Sequence, residues 1–193
     1  MHIHLFRHGP SAYHEPAGLT YAQFGVWIER YNAAGIQSMK GSTKANVPPV
    51  PRAPCVFASD LPRSIETAHL LYPHTTIISD AVFREAHLPL LPLRGIRFKA
   101  ETWVILAQLA WRCGWAPDGE SARRARQRAA QAADRLIAHA LEWGDVALIG
   151  HGFFNRLIAH ELIRRQWMGS RRPTSAHCRC TTYTKKEAGN TAR

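Results

Sequence analysis

The sequence predicts an α/β protein: a three-layer α/β/α sandwich on a mainly parallel central sheet. Three observations carry that expectation. Short apolar runs of strand length alternate along the chain with stretches of helical period, the pattern of β-α-β units. Two of these runs, "HIHLFRHG" and "DVALIGHG", are far apart yet both end in a histidine beside glycine. With 193 residues and 46% hydrophobic composition, the chain can bury one sizeable core. A single domain over 1–193 is expected, with surface insertions near 36–54 and 86–99.

Residues 3–6 read as the first strand, with Ile3 and Leu5 on one face and His4 and Phe6 on the other. Gly9 and Pro10 then break the extended chain, because glycine tolerates unusual dihedrals and proline cannot continue a ladder. A turn there brings Arg7 and His8 to the carboxyl end of the strand, where open α/β sheets bind ligands. Thr20–Ala34 reads as a helix capped by Thr20 and stopped by Gly35, with Phe24, Trp27, Ile28 and Tyr31 at helical spacing. The prolines at 48, 49, 51 and 54 mark a loop long enough to wall a site.

"CVFASD" (55–60) is a second strand. The helix "LPRSIETAHLLY" follows, with Ser59 or Asp60 as cap and Pro62 in its first turn. "TTIISD" (75–80) is a third strand, and 84–99 is irregular. "ETWVILAQLAWRC" (101–113) is expected to be a largely buried helix. Residues 121–143 form an amphipathic one whose stripe is Ala122, Ala125, Ala129, Ala132, Leu136 and Ala140, with the arginines mainly off it. "DVALIGHG" (145–152) is another buried strand, a helix runs on to about Trp167, and "HCRCTTYT" (177–184) alternates like an edge strand.

The formal charge is +11, from 25 Lys+Arg against 14 Asp+Glu. Part of the excess is local: Arg156 to Arg193 holds nine basic residues against Glu161 and Glu187. Such a tail suits an anionic partner or a solvated face. No apolar run reaches membrane-spanning length and Met1–Phe6 is too short for a secretory leader, so a cytoplasmic protein without membrane contact is expected. Cys55, Cys113, Cys178 and Cys180 form no disulfide framework and are expected to be reduced thiols. His177 with Cys178 and Cys180 lacks a fourth ligand at zinc spacing, so no metal site and no cofactor are expected. His2 and His4 read as structural histidines, and Trp103, Trp111 and Trp115 as core. Arg156 reads either as a support for the site or as a solvent-facing residue.

His8 and His151 thus share one sheet edge. Arg63 follows the second strand and Glu85 the third. Two arginines, two histidines and a carboxylate suit phosphoryl transfer. Guanidinium forks bind phosphate oxygens, a neutral imidazole attacks phosphorus, and a carboxylic acid protonates the leaving oxygen. Traces of other phosphatase chemistries are absent from the sequence, which contains no C-x5-R, D-x-D, P-loop or HExxH pattern.

Taken in order, Arg7-His8-Gly9-Pro10-Ser11, Ser59-Asp60-Leu61-Pro62-Arg63 with Thr67-Ala68, Glu85, Gly119-Glu120-Ser121 and Gly150-His151-Gly152 resemble the histidine phosphatase superfamily, also called phosphoglycerate mutase-like. The resemblance implies that His8 becomes phosphorylated, that Arg7, Arg63 and His151 hold the phosphoryl oxygens with Ser11 and Gly152 beside them, and that Glu85 donates the proton. His14 stands where the mutase branch commonly has asparagine, and "AHLPLLPLRG" replaces its glycine-rich segment. A metal-independent phosphomonoesterase is therefore favoured over a mutase acting on phosphorylated glycerates.

A phosphate- or nucleic-acid-binding module without catalysis ranks last, because the tail has no recognisable nucleic-acid motif and few aromatics. The partner expected is a phosphorylated small molecule or phosphoprotein, with selectivity from residues 12–54 and 86–99.

Overall fold

The computed structural model describes residues 1–14, 17–37, 49–117 and 119–186. Its elements are β1 (His2–Arg7), α1 (Tyr21–Ala33), β2 (Cys55–Ala58), α2 (Pro62–Leu71), β3 (Ile77–Ser79), α3 (Ala100–Arg112), α4 (Ala122–Trp143), β4 (Val146–Gly150), α5 (Gly152–Arg164), β5 (Trp167–Met168) and β6 (Cys180–Lys185). One 3-10 turn, Ala81–Phe83, follows β3. Most of the insertion expected at 36–54 lies outside the described residues. The segment 86–99 contains no helix or strand, as expected.

The strands form one sheet in the order β3-β2-β4-β1-β6-β5. β3, β2, β4 and β1 are mutually parallel, while β6 pairs antiparallel with β1 and β5 antiparallel with β6. On β1, Ile3 and Leu5 face one side and Phe6 the other, as the alternation predicts. The first pair joins Leu148, Leu136 and Ile158 in the core beneath α4 and α5. Phe6 joins Val56, Ala58, Ile149 and Leu71 beneath α2. Each large aliphatic side chain so enclosed contributes roughly 1.5–3 kcal/mol. A third cluster ties α1 to α3 through Phe24 and Trp103, whose indole N–H bonds Leu19 O at 2.7 Å.

Several local expectations are corrected. Thr20 does cap α1, in a reciprocal capping box with Gln23. Gly35 does not stop that helix by left-handed dihedrals, because α1 ends at Ala33 and Ala34 is extended. Gly35 is needed for closeness instead: a Cβ there would stand 2.2 Å from the Glu66 carboxylate, which accepts from Ile36 N. α2 is capped by neither Ser59 nor Asp60. Its N-cap is Leu61 with Pro62 next, and Asp60 is drawn off into an ion pair with Arg84. α3 is buried only along Ala100, Trp103, Ala107 and Trp111, whereas Ile105 and Leu109 are exposed. Trp115 is likewise exposed rather than core.

α4 buries the stripe read from its sequence, and ends at Gly144, whose φ of 93° only glycine adopts without strain. α5 stops at Arg164 rather than Trp167, because Gln166 takes a positive φ and Trp167 starts β5. β5 forms the edge. β6 therefore lies inside the sheet between β1 and β5, and residues 177–179 precede it rather than belong to it.

The chain leaving β1 crosses toward β2 and β3, while the chain leaving β4 crosses toward β5 and β6. Adjacent strands with connections that diverge leave a crevice at their carboxyl ends, the switch point of an open α/β sheet. In register, Arg7 lies beside Gly150 and Ala58 beside Ile149, so three strands end together there.

Candidate active site

At that edge the His8 amide bonds Gly150 O at 3.0 Å, which seats His8 beside His151. Their rings stand 5.0 Å apart. His8 Nδ1 lies 2.7 Å from Gly9 O, and a carbonyl can only accept, so Nδ1 carries the proton and Nε2 the lone pair. Arg63 Nε–H donates to that Nε2 at 3.2 Å. Arg63 Nη2 lies 3.4 Å from His151 Nδ1, and Ser64 Oγ 3.4 Å from His151 Nε2. His8, Arg63 and His151 are 3%, 1% and 1% exposed, so this cluster sits out of water.

Burial dominates the titration of these groups. Together with the Arg63 charge it pushes His8 down from 6.5 to about 3. His151 is held well below the ordinary histidine range by burial and then by its neighbours His8 and Arg63. Both rings are neutral at physiological pH. Arg7 reaches the same edge: its Nη1 bonds Ser175 O, while its Nε is buried without a protein partner. A buried guanidinium N–H with nothing to bond fits an oxyanion. Gly152 packs against Arg7, since a Cβ there would stand 3.6 Å from Arg7 Cδ. The Ser11 hydroxyl oxygen is turned onto its own loop, accepting from Tyr13 N.

Glu85 emerges from the 3-10 turn after β3 and meets the start of α5. Its carboxylate accepts from Phe154 N at 2.8 Å, Phe153 N at 3.2 Å and Ala86 N. Free N–H groups and the positive end of the dipole make a helix start a natural seat for a carboxylate. Burial nevertheless outweighs these bonds and raises the Glu85 pKa. The neighbouring Arg84 does not pair with it, forking onto Asp60 instead.

Four supporting residues are not among those the sequence reading places at the site. Arg128 binds the Glu120 carboxylate, the carbonyls of Val82 and Arg84, and lies 3.9 Å over the Phe154 ring, so it pins the segment that carries Glu85. A signal existed: Arg128 sits three residues after Ala125 and four before Ala132, on the apolar stripe of α4. Tyr31 and Asn32 contact the Arg63 guanidinium through a carbonyl and a side-chain amide. His177, read as one of the alternating strand residues, bonds the His8 carbonyl through Nδ1 at 2.6 Å, with its ring 5.5 Å from the His8 ring. Asn155 is also buried, donating to Phe6 O across the sheet edge. Arg156 makes no contact with these residues among the described hydrogen bonds. The described residues contain no cluster able to hold a metal, and no helix among them is long and apolar enough to cross a membrane.

Buried neutral histidines make folding pH-dependent with a definite sign. Below about 6.5 the unfolded chain takes up protons that His8 refuses until about 3, so stability is lost as pH falls through that window. Glu85, shifted upward, acts in the opposite direction. We therefore expect the urea midpoint to fall from pH 7.5 to 4.5, and His8→Asn to flatten that slope. An unchanged slope in the variant would contradict the burial of a neutral His8.

A comparison with curated proteins finds no match. Solved structures do match, at probability 1.00. The mycobacterial glucosyl-3-phosphoglycerate phosphatase shares 22% identity and a TM-score of 0.55, covering 84% of this chain and 79% of that one. It has also been solved with VO3. The product of the open reading frame Rv3214 from Mycobacterium tuberculosis gives 17% identity and 0.52, over 84% and 80% of the two chains. The protein TTHB049 from Thermus thermophilus gives 19% and 0.52, over 84% and 85%. At these identities the likeness concerns the fold. The family itself follows from the sequence profile, which matches residues 3–193: the chain belongs to the histidine phosphatase superfamily, branch 1.

Proposed function

We propose that this protein is a metal-independent phosphatase that hydrolyses phosphate monoesters through a phosphohistidine on His8. One observation carries the reading: a proton fixed on Nδ1 by Gly9 O leaves an uncharged Nε2 lone pair facing the Arg63 guanidinium. In the first half-reaction that lone pair attacks phosphorus, a P–Nε2 bond forms, and the bond from phosphorus to the ester oxygen breaks. Glu85, protonated, gives its proton to the departing oxygen. The ring gains positive charge as the new bond forms, and the Nδ1–H bond to Gly9 O strengthens in response. Arg7, Arg63 and, with its proton on Nδ1, His151 hold the three other phosphoryl oxygens, with the charged forks stabilising the transition state.

In the second half-reaction Glu85, now a carboxylate, takes a proton from water. The water oxygen attacks phosphorus, the P–N bond breaks, and its electron pair returns to Nε2 as inorganic phosphate leaves. Glu85 suits both tasks because burial raises its pKa toward neutrality from the ordinary carboxylate range. Residues 86–99 form no element built to retain a released phosphoryl group, which favours hydrolysis over mutase transfer.

The test is phosphate release from a panel of monoesters in the presence of EDTA, with interconversion of 2- and 3-phosphoglycerate measured alongside. Release unaffected by chelator, and faster than interconversion, is expected. Loss of activity with EDTA, or interconversion outrunning release, would overturn the proposal.

A further inference from the structure

We propose that the last turn of α1 is a positioning device for Arg63, with the Asn32 side chain and the Tyr31 carbonyl turning one edge of the guanidinium toward the point where a phosphoryl group binds. This inference rests on the phosphatase reading and adds residues to it. A guanidinium has two edges that can fork onto an oxyanion: one formed by Nε and Nη2, the other by Nη1 and Nη2. In Arg63 the second edge is held from outside, Nη1 donating to Tyr31 O at 3.0 Å and Nη2 to Asn32 Oδ1 at 3.2 Å. The first edge is thereby presented inward, Nε to His8 Nε2 at 3.2 Å and Nη2 to His151 Nδ1 at 3.4 Å. The Tyr31 ring lies 4.5 Å from the guanidinium carbon and fixes the plane from one face.

The guanidinium is the donor on both sides, but the outward bonds run to amide oxygens at 3.0 and 3.2 Å and the inward contacts to ring nitrogens of two neutral imidazoles at 3.2 and 3.4 Å. A phosphoryl oxygen is a far better acceptor than either imidazole nitrogen, so an arriving dianion displaces the inner contacts and leaves the outer ones in place. Displacement also releases the His8 lone pair for attack. The end of α1 suits the holding role: its last carbonyls lack intrahelical partners, and the negative end of the helix dipole faces a cation there.

The turn is itself anchored to the same neighbourhood. Glu66, one turn beyond Arg63 on α2, accepts from Ile36 N at 2.8 Å, and Gly35 O accepts from Ala12 N at 2.9 Å. The chain just after α1 is therefore tied both to the histidine loop and to the helix that carries Arg63. Among the described hydrogen bonds the Asn32 side chain meets only the guanidinium and no reacting atom, so it is a positioning residue.

Orthovanadate serves as the probe, bound to the full chain and read by calorimetry, beside steady-state hydrolysis of a phosphate monoester. Wild type is expected to bind vanadate. Asn32→Ala is expected to weaken vanadate binding and raise KM by the same factor, on the order of tenfold for one lost bond to a charged group, with the thermal midpoint unchanged. Asn32→Asp keeps an acceptor oxygen in place and is expected to restore binding. In an Arg63→Lys background, where no fork remains to be oriented, Asn32→Ala is expected to add nothing.

Vanadate affinity within twofold of wild type in Asn32→Ala, or an aspartate variant as weak as the alanine one, would overturn the inference while leaving the phosphatase reading intact. Wild type that neither binds vanadate nor releases phosphate would overturn both. Asn32 is only half-buried. Should the alanine variant fail to fold, Asn32→Ser against Asn32→Asp makes the same comparison.

Discussion

Replacing His8 by alanine is expected to lower phosphate release by on the order of a thousandfold or more, on every substrate alike. The substitution removes the Nε2 lone pair that is proposed to attack phosphorus. His151 does not take over, because its Nδ1 faces Arg63 and its Nε2 faces Ser64. A rapid quench with radiolabelled monoester checks the chemistry directly. Wild type is expected to trap one phosphoryl group per chain in an acid-labile, alkali-stable linkage, the signature of a P–N bond. The alanine variant is expected to trap none. Equal rates in the two proteins would end the phosphohistidine proposal, whatever the substrate.

Glu85→Gln is the second large effect, and it is selective. An alkyl phosphate expels a basic alkoxide that needs a proton in the transition state, and general acid catalysis is worth about a hundredfold or more there. A nitrophenolate leaves well without help. The variant is therefore expected to slow alkyl phosphates by about that factor and nitrophenyl phosphate far less. The pH profile carries the same information. Because burial raises the Glu85 pKa, the acid form persists above the ordinary carboxylate range, and alkyl phosphate turnover is expected to fall as pH rises through that raised value. Glutamine should remove that limb. Equal slowing of both substrates would mean that another group is the acid. Asp60 would be a poor replacement, since both its oxygens are already forked by Arg84.

The two predictions draw on residues of unequal legibility. Arg7, His8 and His151 announce themselves because each stands where a buried run breaks at glycine, a local pattern. Arg63 follows a strand by the same logic. Glu85 carries no such mark: it sits in an irregular segment, and its role as proton donor comes only from the family resemblance. Its placement comes from the amides of Phe153 and Phe154, 68 and 69 residues away. The basic excess after Arg156 is also less available than its sequence suggests, because Arg164 and Arg165 pair with Glu161, and Arg165 also with Asp134.

Periodicity, glycine and proline breaks, and the Thr20 capping box are properties of neighbours in the chain. The sequence by itself therefore determined the series of strands and helices apart from β5, the two faces of β1, most of the buried stripe of α4, and which strand ends carry Arg7, His8 and His151. Tertiary structure alone decided that β6 is inserted inside the sheet and that the half-buried Arg128 bonds the backbone of the Glu85 segment. It also brought His177 to His8 across 169 residues and Asn32 to Arg63 across 31. The physical reason is the same in each case. A side-chain polar group chooses its partner from whatever burial brings within about 3 Å, and that choice is made only after the strands have paired and the helices have packed.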